Sequence, residues 1–83
     1  MKLELMQVGE RLSMEMDAAG LEAVRSFIKQ TYPDVTKGSA GIVKLVRFGA
    51  AEFIFENERD DPYLLSQPSE GDDLLRSICR HIA

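Results

Sequence analysis

The chain has few of the residues that hold small proteins together. Its 83 residues include one cysteine, one histidine, three prolines and no tryptophan. A single cysteine excludes an internal disulfide framework and fits a reducing compartment. A structural zinc site normally requires several cysteine and histidine side chains, which this chain lacks. Stability must therefore come from a hydrophobic core, and self-association into a homodimer would enlarge that core.

No apolar run approaches the ~18–20 residues that a transmembrane helix requires. At the start of the chain, Glu4 interrupts the apolar stretch that a secretory signal needs. We therefore expect a cytoplasmic protein that makes no contact with membranes.

Nucleophilic catalysis has little support in the sequence. Cys79 and His81 are two positions apart on a predicted helix, so their side chains point about 200° apart and form no local nucleophile–base pair. Cys79 falls on the apolar stripe of that helix, where a buried small hydrophobic residue is typical. We therefore predict a protein that is not an enzyme and has no cofactor.

The composition is that of an ordinary globular protein, with 45% hydrophobic and 29% charged residues. A chain of this length has room for only one core, so we expect one domain over residues 1–83.

Alternating apolar residues predict two β-hairpins. The first covers residues 2–8 and 11–16 around Gly9-Glu10, and it sets Glu4 opposite Glu15, an unfavourable pair that requires solvent. The second hairpin turns at Gly49-Ala50 and places Arg47 opposite Glu52. One face of each hairpin is apolar, as a sheet packed on one side requires.

Helical spacing of apolar residues predicts two amphipathic helices. The first covers residues 18–31, with Asp17 as its N-cap and Tyr32-Pro33 as its end. The second begins with a capping-box-like Ser69–Asp72 and continues through Ile82.

The remaining segments carry weaker signals. Pro33–Gly41 is predicted as a loop and Asp60-Asp61-Pro62 as a turn, and Tyr63-Leu64-Leu65 is predicted as a short strand. The resulting order is β-β-α-β-β-β-α. We expect an α+β two-layer sandwich with a mainly antiparallel sheet and both helices on one face.

Negative charge is concentrated in one part of the sequence. Residues 52–73 contain eight acids and one arginine, for a net charge of −7, although the whole chain has a net charge of only −4. Such a stretch favours a basic partner. The predicted partner-binding residues are Glu56, Glu58, Asp60, Asp61, Tyr63, Glu70, Asp72 and Asp73. A solubilising negative surface without a specific partner is the alternative.

The second hairpin has a half-apolar outer face formed by Val43, Leu45 and Ile54. Contiguous apolar surface of this kind indicates self-association or burial against a partner. If another part of the same chain covered this face, its apolar residues would not indicate a partner.

The sequence contains residues of the types used in two other kinds of binding site. A small enzyme or metal-binding protein that uses Glu56, Glu58, Asp60 and Asp61 is one alternative, because a hard cation requires several carboxylates, but the run lacks EF-hand spacing and a solvated acidic loop is preferred. The glycines of Lys37-Gly38-Ser39-Ala40-Gly41 do not stand between a strand and a helix, so a phosphate-binding loop is not predicted either.

Nucleic-acid binding is the remaining alternative. The predicted α-β-β-β-α order of residues 18–82 resembles the topology of double-stranded-RNA-binding domains, but the last helix begins Glu70-Gly71-Asp72-Asp73, and such domains use basic clusters to contact phosphate. Contact with nucleic acid would require Arg25, Lys29, Lys37 and Lys44 to meet on one patch.

The preferred hypothesis is a non-catalytic protein–protein interaction domain of the inhibitor, antitoxin, immunity or adaptor type.

Overall fold

The computed structural model describes residues 1–58, 61–67 and 71–82, with the side chains of Ala40 and Glu58 left aside. The elements, in chain order, are β1 (Leu3–Val8), β2 (Arg11–Met16), α1 (Ala18–Thr31), β3 (Thr36–Ala40), β4 (Val43–Phe48), β5 (Ala51–Glu58), β6 (Asp61–Ser66) and α2 (Asp72–Ile82). The strands form one antiparallel sheet in the order β1-β2-β6-β5-β4-β3. The α+β class is confirmed, and the predicted elements appear in the predicted order.

Both predicted hairpins have the predicted register. In the first, Glu4 lies opposite Glu15, and in the second, Arg47 lies opposite Glu52. Gly9 has a φ of +62°, which suits a two-residue turn with glycine first. Gly49 and Ala50 both have positive φ, at 59° and 64°, as a type I′ turn requires. The turns therefore fix the pairing that the alternation of apolar residues predicts.

The prediction of a loop over Pro33–Gly41 was wrong for Thr36–Ala40, which form β3 at the edge of the sheet. This segment has no apolar alternation, and its strand conformation comes from pairing with β4, where Lys37 lies opposite Val46. The predicted turn at Asp60-Asp61-Pro62 was also wrong, because Asp61 and Pro62 begin β6. Asp60 and the capping box at Ser69 lie outside the described residues.

Helix α1 begins and ends where the sequence predicts. The Oδ1 atom of Asp17 accepts a hydrogen bond of 2.7 Å from the Gly20 N–H, and the Tyr32 N–H donates to the Ile28 carbonyl at 2.7 Å. The hydrogen bond from Gly20, followed by one from the backbone of Lys2, lowers the pKa of Asp17 below its ordinary value of 3.8.

The capping carboxylate gives the folding stability a defined pH dependence. Because the folded pKa of Asp17 is lowered, its stabilisation is present above pH 3.8 and is lost as pH falls through the folded pKa. We expect the difference in unfolding free energy between wild type and Asp17→Asn to shrink on acidification below pH 3.8, as measured by urea unfolding at several pH values. Asp34→Asn, an exposed acid after α1, is the control and should show no such change. A difference that is constant with pH would contradict the prediction.

Both helices pack on one face of the sheet, here named the inner face. Helix α1 lies over β2 and β6, and α2 lies over β1 and β2. The buried core combines residues of this face with the apolar sides of both helices: Leu12, Met14, Met16, Val24, Ile28, Phe48, Ala51, Phe53, Leu64, Leu75 and Ile78. Neither helix makes comparably close backbone contact with β3 or β4 over the described residues. The inner face is therefore well covered on one side of the sheet and less covered on the other.

Candidate functional site

The opposite side of the sheet, here named the open face, has no described element packed over it. Side chains alternate along each strand, so this face carries Glu15 of β2, Tyr63 of β6 and Ile54 of β5. Cross-strand neighbours on this face form rows that run across the sheet. Two adjacent rows have distinct chemistry.

The first row is mostly apolar. It passes from β1 to β4 through Met6, Ser13, Leu65, Ile54 and Leu45, which are successive cross-strand partners. Met6 is 52% exposed, and Leu45, Ile54 and Leu65 are half-buried. We name these five residues the apolar row.

The predicted self-association residues belong to this surface. Leu45 and Ile54 lie in the apolar row, and Val43 lies two positions from Leu45 on the same face of β4. All three are half-buried, and no described segment of the chain covers them. The open face therefore offers apolar area that the fold itself does not use.

The adjacent row is acidic. Glu4 lies opposite Glu15, Glu15 opposite Tyr63, and Tyr63 opposite Glu56. We name Glu4, Glu15, Tyr63 and Glu56 the carboxylate row. Two carboxylates thus flank one tyrosine and a third lies next to Glu15, although their positions span 53 residues of the chain from Glu4 to Glu56.

Hydrogen bonds fix the orientation of two of these carboxylates. The Tyr63 hydroxyl donates to Glu56 Oε2, and the Ser13 hydroxyl donates to Glu15 Oε2 at 2.7 Å. Both hydrogen bonds are partly buried, and they hold the two carboxylates beside the apolar row. The arrangement can accept hydrogen bonds and ion pairs from cations.

Sequence reasoning identified Glu56 and Tyr63 as site residues and missed Glu4 and Glu15. The signal that was available is their direct opposition in the first hairpin, because two acids facing each other across a ladder are destabilising unless something else favours them. The pairing of β2 with β6, which brings Glu15 beside Tyr63, joins segments too far apart for a local pattern to predict.

Of the other predicted acids, Asp61 lies two positions before Tyr63 on the same face of β6, and Asp72 and Asp73 lie away from the row. Asp61 begins β6, and its Oδ1 lies 3.9 Å from the Nζ of Lys2. Asp72 lies beyond the other end of β6, a strand roughly 17 Å long, and accepts a 2.5 Å hydrogen bond from Ser66 on the inner-face side. Asp73 is exposed, and its Oδ1 lies 3.4 Å from Arg76 Nη1. Asp60 and Glu70 lie outside the described residues, and of Glu58 only the backbone is described, opposite Asp61.

The described residues contain neither a cluster suited to a metal ion nor a helix able to span a membrane. Within residues 1–58, 61–67 and 71–82, no three or more histidine, cysteine, aspartate or glutamate side chains are placed to hold a metal ion. Over the same residues, neither helix combines the length and apolar character needed to cross a bilayer.

Cys79 and His81 point to different surroundings. Cys79 is half-buried and unpaired, and burial raises the pKa of its thiol. A thiol in that state is a weak nucleophile. His81 is exposed, and its ring lies 4.6 Å from the ring of Phe27.

Comparison with known proteins gives no family and no relative. No protein-family model, no curated protein and no solved structure matches the chain.

Proposed function

We propose that this chain is a non-catalytic interaction domain whose open face binds a basic protein partner. The observation that supports this proposal is an uncovered sheet face on which an apolar row lies directly beside a row of three carboxylates and a tyrosine. Unused apolar area provides buried contact, and the carboxylates select positive charge.

The two rows have different roles in the proposed complex. Ile54 on the central strand β5 and Leu45 on neighbouring β4 are the contacts that exclude water. Tyr63 lies between two carboxylates, and tyrosine is one of the residue types enriched among those that contribute most to binding energy at protein interfaces. The carboxylates steer a cationic partner during approach, so they act mainly on the association rate.

Inhibitor, antitoxin, immunity and adaptor roles all consist of this kind of contact. We place the domain in the reducing environment of the cytoplasm, and the unpaired thiol of Cys79 supports that location.

The test compares two variants that change net charge equally. The open-face variant combines Glu4→Gln, Glu15→Gln and Glu56→Gln. The control neutralises three exposed acids elsewhere, as Glu22→Gln, Asp34→Asn and Asp73→Asn. Affinity capture from source cells with quantitative mass spectrometry should recover basic proteins with wild type and control, and about tenfold less of them with the open-face variant.

Two outcomes of this experiment would contradict the proposal. Equal recovery by all three proteins, or equal loss with both variants, would show that the carboxylate row does not select a partner. A second copy of this chain is the competing occupant of the apolar row, with Val43, Leu45 and Ile54 as its contacts. Sedimentation that shows a dimer in wild type and a monomer in Ile54→Ser would assign the face to self-association instead.

A further inference from the structure

The inner face contains a cleft that the carboxylate row does not line, although Leu45 of the apolar row contributes to its lining. It lies between α1 and strands β3 and β4, where the sheet extends beyond the helices, and it has a volume of about 270 Å³. Its floor is apolar and is formed mainly by Val24, Ile28, Val46, Phe55 and Leu64.

Four basic side chains line the cleft. Arg25 and Lys29 come from one side of α1, four residues apart and therefore neighbours on the helix surface. Lys37 of β3 and Lys44 of β4 come from the sheet. Lys37 lies opposite Val46, and Lys44 lies opposite Phe55, so both project on the side of the sheet that forms the floor. Helix and strands thus bring together the four residues that the sequence leaves scattered.

The charges around the cleft are unbalanced. Among the described residues that line it there is no aspartate or glutamate, although the chain has 14 acids against 10 lysines and arginines. Arg25 Nη1 is 3.8 Å from Glu22 Oε2 in an exposed pair, which contributes little. Lys29, Lys37 and Lys44 make no ion pair with the described residues.

A purely structural explanation accounts for only part of this arrangement. Long basic side chains do cover apolar surface with their aliphatic stems while their charged heads remain in water. That explanation gives no reason for four cations and no anion around one cavity, because like charges at short range repel and lower stability.

We propose that this cleft binds a small amphipathic anion. Its carboxylate or phosphate head lies among Lys37, Lys44 and the two basic residues of α1, and its apolar tail lies on the floor formed by Val46 and Phe55. The volume is close to the lower end of ligand pockets, roughly 300 Å³, so the tail is short. Nucleic acid fits less well, because it needs a charged track with exposed stacking surfaces rather than a recessed apolar floor.

The experiment uses ligands that separate head from tail. Octanoate and octyl phosphate carry both features, acetate and inorganic phosphate carry only the anion, and octylammonium carries the same tail with the opposite charge. Calorimetric titration should show that octanoate or octyl phosphate binds at least about tenfold more tightly than the other three, with weaker binding at higher salt. Chemical shifts of Val46 and Phe55 should move on titration.

Paired variants test the residues. Lys37→Gln with Lys44→Gln should weaken octanoate or octyl phosphate binding by about tenfold. Arg76→Gln with Arg80→Gln, an equal charge change on the exposed side of α2, should leave it unchanged. All four side chains are exposed, so the variants should fold as wild type does.

Three results would overturn the proposal. They are equal binding of octylammonium, absence of octanoate and octyl phosphate binding at about 1 mM, and binding that both paired variants weaken equally. Tighter binding of a short RNA duplex, lost with Lys37→Gln and Lys44→Gln, would also overturn it and assign the four cations to nucleic acid.

Discussion

Alanine at Gly71 is expected to destabilise the protein by about 3 kcal/mol, which combines left-handed backbone strain with the overpacking of a core. A domain of this length has roughly 4–12 kcal/mol of stability, so the variant would lose a large share of it. Urea unfolding followed by circular dichroism at 222 nm measures the loss. The expected signature is a lower midpoint with an unchanged slope.

Two features of the structure combine at this position. Gly71 has a φ of +86°, a conformation that side chains other than glycine rarely adopt. A Cβ there would lie 2.6 Å from Cε1 and Cζ of Phe53 and 3.3 Å from Cβ of Ala51. Phe53 is fully buried and stacks on Phe48 with ring centroids 4.6 Å apart, so its ring has nowhere to move.

Gly71 also positions helix α2. Its carbonyl accepts a 3.0 Å hydrogen bond from the Leu75 N–H, so it begins the helix while its bare Cα rests against β5. A methyl group would push the first turn away from the sheet, together with Leu75, which is fully buried.

Gly41→Ala separates the two causes. Gly41 has a φ of +67°, but a Cβ there would meet nothing within 4 Å. This variant carries the backbone cost alone, about 1–2 kcal/mol. Equal losses for Gly41→Ala and Gly71→Ala would show that the contact with Phe53 contributes nothing.

The sequence predicts those parts of the fold that depend on local patterns. The hairpins around Gly9 and Gly49 follow from two-residue turns and strict alternation, which together leave one register. Helix α1 follows from its cap at Asp17 and its apolar stripe. Both kinds of signal lie within a dozen residues of the element that they specify.

The features that local sequence patterns do not predict depend on pairing between distant segments of the chain. Thr36–Ala40 form a strand because they pair with the edge of β4. The segment itself has no apolar alternation that would predict a strand. The carboxylate row requires the pairing of β2 with β6, and the four cations of the cleft come from three elements. The contact of Gly71 with Phe53 likewise has no local sequence signal, because the neighbours of Gly71 in the sequence are acids.

The two proposed surfaces lie on opposite faces of one sheet and have opposite charge. Carboxylates on the open face disfavour the anion proposed for the cleft, and cations at the cleft disfavour the basic partner proposed for the open face, so the charges of the two faces are consistent with two separate ligands. A protein bound to the open face would leave the cleft accessible. The two tests are therefore independent, since the variants designed for one surface leave the other intact.

Ser66→Ala is expected to cost about 2 kcal/mol, because it leaves a buried donor without a partner. Ser66 has 0% exposure, and its hydroxyl oxygen accepts a 3.0 Å hydrogen bond from the Leu12 N–H. The register between β2 and β6 covers only Ser13 to Glu15 on β2. The side chain of Ser66 thus continues the ladder by one bond where the backbone of β6 does not.

The same hydroxyl donates to Asp72 Oδ1 at 2.5 Å, so one serine connects β2, β6 and the first turn of α2. Hydrogen exchange without denaturant distinguishes this role from a general loss of stability. At temperatures chosen so that wild type and Ser66→Ala have equal unfolding free energy, the Leu12 amide should still exchange faster in Ser66→Ala. Ser77→Ala, an exposed position on α2, is the control and should change unfolding free energy by less than about 0.5 kcal/mol. An unfolding free energy within that range for Ser66→Ala, with unchanged exchange at Leu12, would show that the sheet does not depend on this side chain.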